Sequence, residues 1–155
     1  MRPSIGAATA AMLLAFAIAA GAGDHASTLA VRDAWARATP PGAGVAAAYL
    51  TVVGGAEPDR LVGANTGVAA MTQIHSVTEV DGITRMRETD GVDIPAGQRV
   101  VLAPQGLHLM LMNLQRPLVA GQRFVVTLVF EHAGTREVSV AVVAPDQAPP
   151  STAQH

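Results

Sequence analysis

Short apolar runs separated by turn-forming residues are the feature that most limits what this chain can fold into. Strands of this length and spacing are typical of an all-β sandwich or barrel. No run shows a sustained period of about 3.6 residues outside the N-terminal segment, so the pattern does not favour helices. The runs span 29–35, 46–53, 60–65, 69–80, 83–88, 99–102, 107–114, 124–130 and 137–143.

One connection between these runs has a definite predicted geometry. Asp81-Gly82 stands between the runs 69–80 and 83–88 and leaves no other residue between them. Asp-Gly is a preferred sequence for the two-residue turn of a β-hairpin, because both positions tolerate a positive φ. We therefore expect 83–88 to fold back antiparallel beside 69–80.

The N-terminal sequence has the pattern of a secretory signal peptide. A basic start at Arg2 precedes an apolar run over 7–20, and Ala20-Gly21-Ala22 offers a small-residue cleavage site. The run is shorter than the roughly 20 apolar residues that a membrane span needs. No cysteine follows it, so we do not expect a lipid anchor attached through cysteine. We predict removal of 1–22 and a periplasmic mature protein.

The mature chain is predicted to hold one domain and a short tail. Residues 23–144 form the β domain, and their number suffices for a real hydrophobic core. Residues 145–155 are rich in Pro, Ser, Ala and Gln, have little to bury, and are expected to be disordered.

Charge and aromatic content exclude several classes of ligand. The net charge is −2, so the chain lacks the excess of positive charge that would attract nucleic acid. Aromatic residues make up 3% of the chain, too few for base-stacking platforms or an aromatic sugar groove. The chain has no cysteine, so a thiolate ligand is excluded, and with it a blue-copper electron-transfer site.

Imidazole and thioether side chains on the predicted strands are the candidate functional groups. Because strand side chains alternate between faces, His108 and Met110 should share the face opposite the leucines at 107, 109 and 111. His75 lies before the Asp81-Gly82 turn and Met86 after it, so the hairpin should place them nearly opposite one another. One metal ion could then bridge the hairpin and the 107–114 strand at an open surface.

The donor set indicates which metal this would be. Imidazole nitrogen and thioether sulfur suit a soft monovalent ion, commonly Cu(I), whereas Mg²⁺ and Ca²⁺ require oxygen ligands. The remaining candidates favour ordinary roles. Met71 and Met112 are interpreted as core filler, and His25, His132 and His155 as solvated surface residues.

The four residues also reproduce a family signature. The periplasmic Cu(I) chaperone family PCuAC is marked by a His, ten residues, a Met, twenty-one residues and His-x-Met. Here His75, Met86, His108 and Met110 have this spacing, and the segments 33–52, 57–64 and 91–134 also resemble the family. The resemblance covers nearly all of the mature chain.

The resemblance implies a cupredoxin-like Greek-key β-sandwich that holds one Cu(I) at His75, Met86, His108 and Met110. It implies delivery of copper to the CuA centre in subunit II of cytochrome c oxidase, directly or with a thiol-bearing partner chaperone. Many members have a Met directly after the first His, where this chain has Ser76. Some members also have a His- and Met-rich C-terminal extension for Cu(II), whereas this tail offers only His155.

The sequence favours a monomeric carrier that binds copper without turnover, and three other functions are alternatives to it. Periplasmic copper buffering for tolerance would use the same site and differ only in the destination of the metal. A redox-active copper enzyme would require several imidazole ligands and an open coordination position on the copper. Two thioether ligands would hinder cycling to Cu(II). A metal-free adhesive sandwich would require every candidate ligand to be structural.

Overall fold

A computed structural model describes residues 28–150, and this part of the chain consists of ten strands joined by turns and loops. No helix in it is long and apolar enough to cross a membrane. The strands are β1 Ala30–Arg37, β2 Val45–Val53, β3 Asp59–Thr66, β4 Ala69–Val80, β5 Ile83–Glu88, β6 Val92–Ile94, β7 Arg99–Leu102, β8 His108–Leu114, β9 Arg123–Phe130 and β10 Gly134–Val143.

The strands form one continuous hydrogen-bonded array that folds into a sandwich. Its order is β5-β4-β8-β2-β1-β10-β9-β3-β6, with β7 paired to the second half of β2. All neighbours are antiparallel except β1 and β10. A single core cluster joins the two halves, with Leu109 and Leu111 on one side and Val126 and Leu128 on the other, all fully buried. The predicted all-β sandwich is confirmed.

The apolar runs predicted nine of the ten strands, and the bounds of β4, β5 and β7 agree at both ends. The tenth, β6, pairs with β3 and was not predicted. This strand has only three residues, bounded by Gly91 and Pro95, and is therefore too short to show an alternating pattern. Val92 and Ile94 nevertheless close one edge of the core.

A β-bulge at Asp33 divides β1 into two parts. Asp33 has a φ of 56°, and the pairing with β2 shifts between Arg32 and Trp35. Beyond the bulge, Trp35 pairs with Tyr49 of β2 and also with Ala141 of β10. The bulge thus sets the face on which this aromatic pair lies.

The β4–β5 hairpin has the predicted two-residue turn. Asp81 and Gly82 have φ values of 53° and 73°, and Val80 pairs with Ile83 across the turn. Positive φ at both positions matches the right-handed twist of the flanking strands. The hairpin reaches the edge of the sheet, and every residue of β5 is exposed.

Some expectations concern the ends of the chain. The signal peptide over 1–22, His25 and His155 lie outside the described residues. At the start of the predicted tail, the Arg37 guanidinium donates to the carbonyls of Pro145, at 2.6 Å, and Gln147, at 3.5 Å.

Candidate metal centre

The pairing of β4 with β8 builds the centre of the candidate site. His75 pairs with His108, Gln73 with Met110, and Met71 with Met112. Directly paired residues project from the same face of a sheet, so these six side chains share one face. The residues between them, Ile74, Leu109 and Leu111 among them, are buried in the core on the opposite face. The predicted alternation therefore places these imidazoles and thioethers together.

His108 is held in one tautomer by the loop before β8. Its Nδ1 lies 3.1 Å from the carbonyl oxygen of Gly106. A carbonyl only accepts, so Nδ1 carries the hydrogen and Nε2 carries a lone pair. His108 is 4% exposed, so the ring is fixed inside the protein and presents one nitrogen for coordination.

His75 has the complementary arrangement. Its Nε2 lies 3.0 Å from Oε1 of Gln73 and donates to it, which leaves the lone pair on Nδ1. That Nδ1 is buried and has no hydrogen-bond partner. Buried polar atoms are nearly always satisfied, and no protein group occupies this lone pair, so it is available to a metal ion. The His75 and His108 rings meet nearly edge to face, with centroids 5.7 Å apart.

The two candidate thioethers are placed differently. Met110 is half-buried on β8, diagonal to His75. Met86 is 51% exposed and pairs with Val77, while Glu88 stands opposite His75. The prediction that Met86 lies nearly opposite His75 is therefore wrong by two residues in register. Met86 still projects from the same face, diagonal to His75, because an offset of two preserves the face.

This offset makes Met86 depend on the shape of the hairpin. In a flat sheet the Met86 and Met110 Cα atoms would be about 16 Å apart, two strands across and four residues along. Two-stranded ribbons twist more strongly than wide sheets, so the approach of Met86 to the other three residues depends on the twist of this hairpin. The register fixes His75, His108 and Met110 as neighbours, whereas the hairpin positions Met86.

The exposure of three residues on this face differs from what the sequence predicts. An open surface site was expected, yet His108 is buried. Met71 was interpreted as core filler, yet it is 48% exposed and lies outside the core cluster. Met112 is half-buried and also lies outside that cluster. His132 is exposed, as expected, with its Nδ1 3.5 Å from a carboxylate oxygen of Asp59.

Aromatic residues close the inner side of the site. The Tyr49 ring lies 6.4 Å from that of His108 and 4.5 Å from that of Trp35, centroid to centroid. Burial raises the pKa of the Tyr49 phenol more than the nearby Arg37 lowers it, so the phenol stays neutral. Arg37 lies over the Trp35 ring, 5.4 Å from its centroid. No sequence pattern indicates Tyr49, because its contact with His108 depends on pairing between distant strands.

Oxygen ligands, which hard cations require, are not clustered on this face, where Glu88 is the one carboxylate opposite His75. Within residues 28–150, no group of three or more His, Asp or Glu side chains could hold a metal ion. For an ion held by both imidazoles, the thioethers on the same face are the soft ligands at hand. This donor chemistry favours a soft monovalent metal.

Solved structures of known proteins share this fold. The copper-bound PCuAC domain of PmoF2 matches with a TM-score of 0.65 at 30% identity, covering 77% of this chain and 96% of that domain. The solution structure of Cu(I)-DR1885 from Deinococcus radiodurans matches with a TM-score of 0.65 at 32% identity, covering 81% and 85%. The chain is therefore a β-sandwich of the PCuAC class, as the resemblance predicted.

Sequence comparison gives the family. The model described as "Putative lipoprotein LpqE-like" matches residues 29–142, and the chain belongs to this LpqE-like family. A relative from Leifsonia xyli subsp. xyli (strain CTCB07), "Putative lipoprotein Lxx21020", is 39% identical over 122 residues. The match covers 77% of this chain and 72% of that protein.

Proposed function

We propose that this protein is an exported copper carrier that binds one Cu(I) through His75, Met86, His108 and Met110. It acts in the periplasm as a monomer and without turnover, and it releases the ion by ligand exchange. The acceptor is the CuA centre of cytochrome c oxidase subunit II, reached directly or with a thiol-bearing chaperone.

One observation carries the proposal. His75 and His108 pair directly across two strands, and each ring donates through one nitrogen to a partner inside the protein. The other nitrogen of each ring bears a lone pair, and that of His75 is buried without a partner. Two neutral, oriented imidazoles beside thioethers are ligands for Cu(I). Copper is bound in the PmoF2 domain and Cu(I) in DR1885, which supports copper as the metal.

The ligand set also supports release. All four ligands are neutral and none is a thiolate. An acceptor with cysteine ligands therefore binds a soft ion more tightly than this site does. Met86 is exposed on the edge strand and can be displaced first. A second protein can then add its own ligands one at a time, without a change in the copper oxidation state.

Anaerobic titration of the full chain with Cu(I) against a competing chelator tests the site. We expect one tight equivalent in the wild type and a loss of affinity in His75→Ala, Met86→Leu, His108→Ala and Met110→Leu. Leucine keeps the volume of methionine, so the Met variants should remain folded. His132→Ala is the matched control, because this exposed imidazole lies in the β9–β10 turn, away from the face.

Unchanged affinity in the Met110→Leu and His75→Ala variants would refute the site. The destination is tested separately by mixing two equivalents of the Cu(I)-loaded protein with a metal-free soluble CuA domain whose cysteines are reduced. Transfer followed by the CuA absorption bands on oxidation supports delivery. Tight binding without transfer, even in the presence of a thiol chaperone, would instead support copper buffering.

A further inference from the structure

All methionines within residues 28–150 lie on one face of the sheet. Their register places Met71, Met86, Met110 and Met112 on the face that carries His75 and His108. Methionine used as core filler would be distributed through the interior. Here none belongs to the core cluster.

We propose that Met71 and Met112 form a second, thioether-only site for a soft monovalent ion, beside the imidazole site and weaker than it. This inference rests on the proposed function, because the ion is the same one. The site lacks imidazole, and Met110 lies between it and the His75–His108 pair as the one ligand that both sites can use.

The register supplies the geometry of this second site. Met71 and Met112 are direct cross-strand partners, so their Cβ atoms lie about 4.5–5.5 Å apart. Each thioether has three rotatable bonds, which lets both sulfurs turn toward a single ion. Met110 is two residues from Met112 on the same strand and projects from the same face, about 7 Å away.

Exposure argues against a purely structural role for the pair. Met71 is 48% exposed, so its side chain gains little from burial, and threonine would serve an exposed strand position equally well. Val45, the partner of Met112 on β2, is also exposed, at 56%, so the pair stands at an open part of the face. An incoming ion can therefore reach these sulfurs before it reaches the buried His108.

The test follows the methionine methyl groups directly. The full chain is labelled with ¹³C at the methionine methyls and titrated with Ag(I), a redox-inert soft ion used as the probe. Single Met→Leu variants assign the signals. We expect the first equivalent to shift the Met86 and Met110 methyls and the second equivalent to shift those of Met71 and Met112. The double variant Met71→Leu/Met112→Leu should lose the second equivalent and keep the first.

The controls separate this inference from the proposed function. Met86→Leu should weaken the first equivalent and leave the Met71 and Met112 shifts in place. If the first equivalent binds and the Met71 and Met112 methyls do not move at any Ag(I) concentration, the second site is refuted and the carrier stands. If no methyl in the described region moves, both proposals fail.

Discussion

The hydrogen bond from His75 to Gln73 should set the copper affinity. Replacing Gln73 by Leu removes the acceptor 3.0 Å from Nε2 and frees the ring to turn and to change tautomer. A hydrogen bond between neutral groups contributes about 0.5–1.5 kcal/mol, or roughly 2- to 12-fold in affinity. Loss of the partner that orients a metal-binding histidine costs about 10- to 100-fold. We expect Gln73→Leu to weaken Cu(I) binding about tenfold.

The assay is chelator competition under anaerobic conditions, combined with ¹⁵N NMR of the imidazole nitrogens. Gln73→Glu is the matched control, because its carboxylate still accepts from Nε2 and should retain most of the affinity. The NMR spectrum should show His75 protonated at Nε2 in the wild type and a mixture of tautomers in Gln73→Leu. Affinity within twofold of the wild type in Gln73→Leu would refute the idea that Gln73 orients the ring.

Three further substitutions test the frame that carries the site. The Asp59 carboxylate accepts hydrogen bonds from three backbone N–H groups. Burial raises the pKa of Asp59, but these hydrogen bonds lower it by more, so its pKa lies below the usual range. Asp59→Asn should cost about 1–3 kcal/mol at pH 7, and urea unfolding should show the gap to wild type closing as pH falls from about 4 through the lowered pKa. Gly54→Ala places a Cβ in steric conflict with the Pro95 carbonyl oxygen and should cost about 1–3 kcal/mol, whereas Gly44→Ala, with open space around it, should unfold like the wild type. Gly82→Ala strains a residue at φ 73° by about 1–2 kcal/mol, so hydrogen exchange should quicken in β5 and not in β8; equal rates in both strands would contradict the turn's role.

Local pattern predicted most of this fold because the strands are bounded by clear turns. The β4–β5 register could also have been predicted more closely. A two-residue turn at Asp81-Gly82 pairs Val80 with Ile83, and counting back from it pairs Val77 with Met86. The predicted position of Met86 opposite His75 is wrong because it ignores the β4–β5 register that this turn imposes.

Other features depend on contacts that sequence patterns do not encode. The burial of His108 depends on its position between β2 and β4, with Tyr49 beside it, in a sheet whose strand order is set by long-range pairing. The role of Gln73 required knowing the rotamer of His75. The shared face of His108 and Met110 was predictable, because alternation within one strand needs only the sequence. That His75 joins them depends on the pairing of β4 with β8.

Both imidazole rings are anchored by groups within the protein, Gln73 for one and the Gly106 carbonyl for the other. Their orientation therefore does not have to be created when an ion arrives, nor is it lost when the ion leaves. The flexible sulfur ligands absorb the rearrangement at both moments. In the proposed transfer, a receiving protein would first displace the flexible thioether ligands. It would then reach the two imidazole nitrogens, whose orientation is fixed.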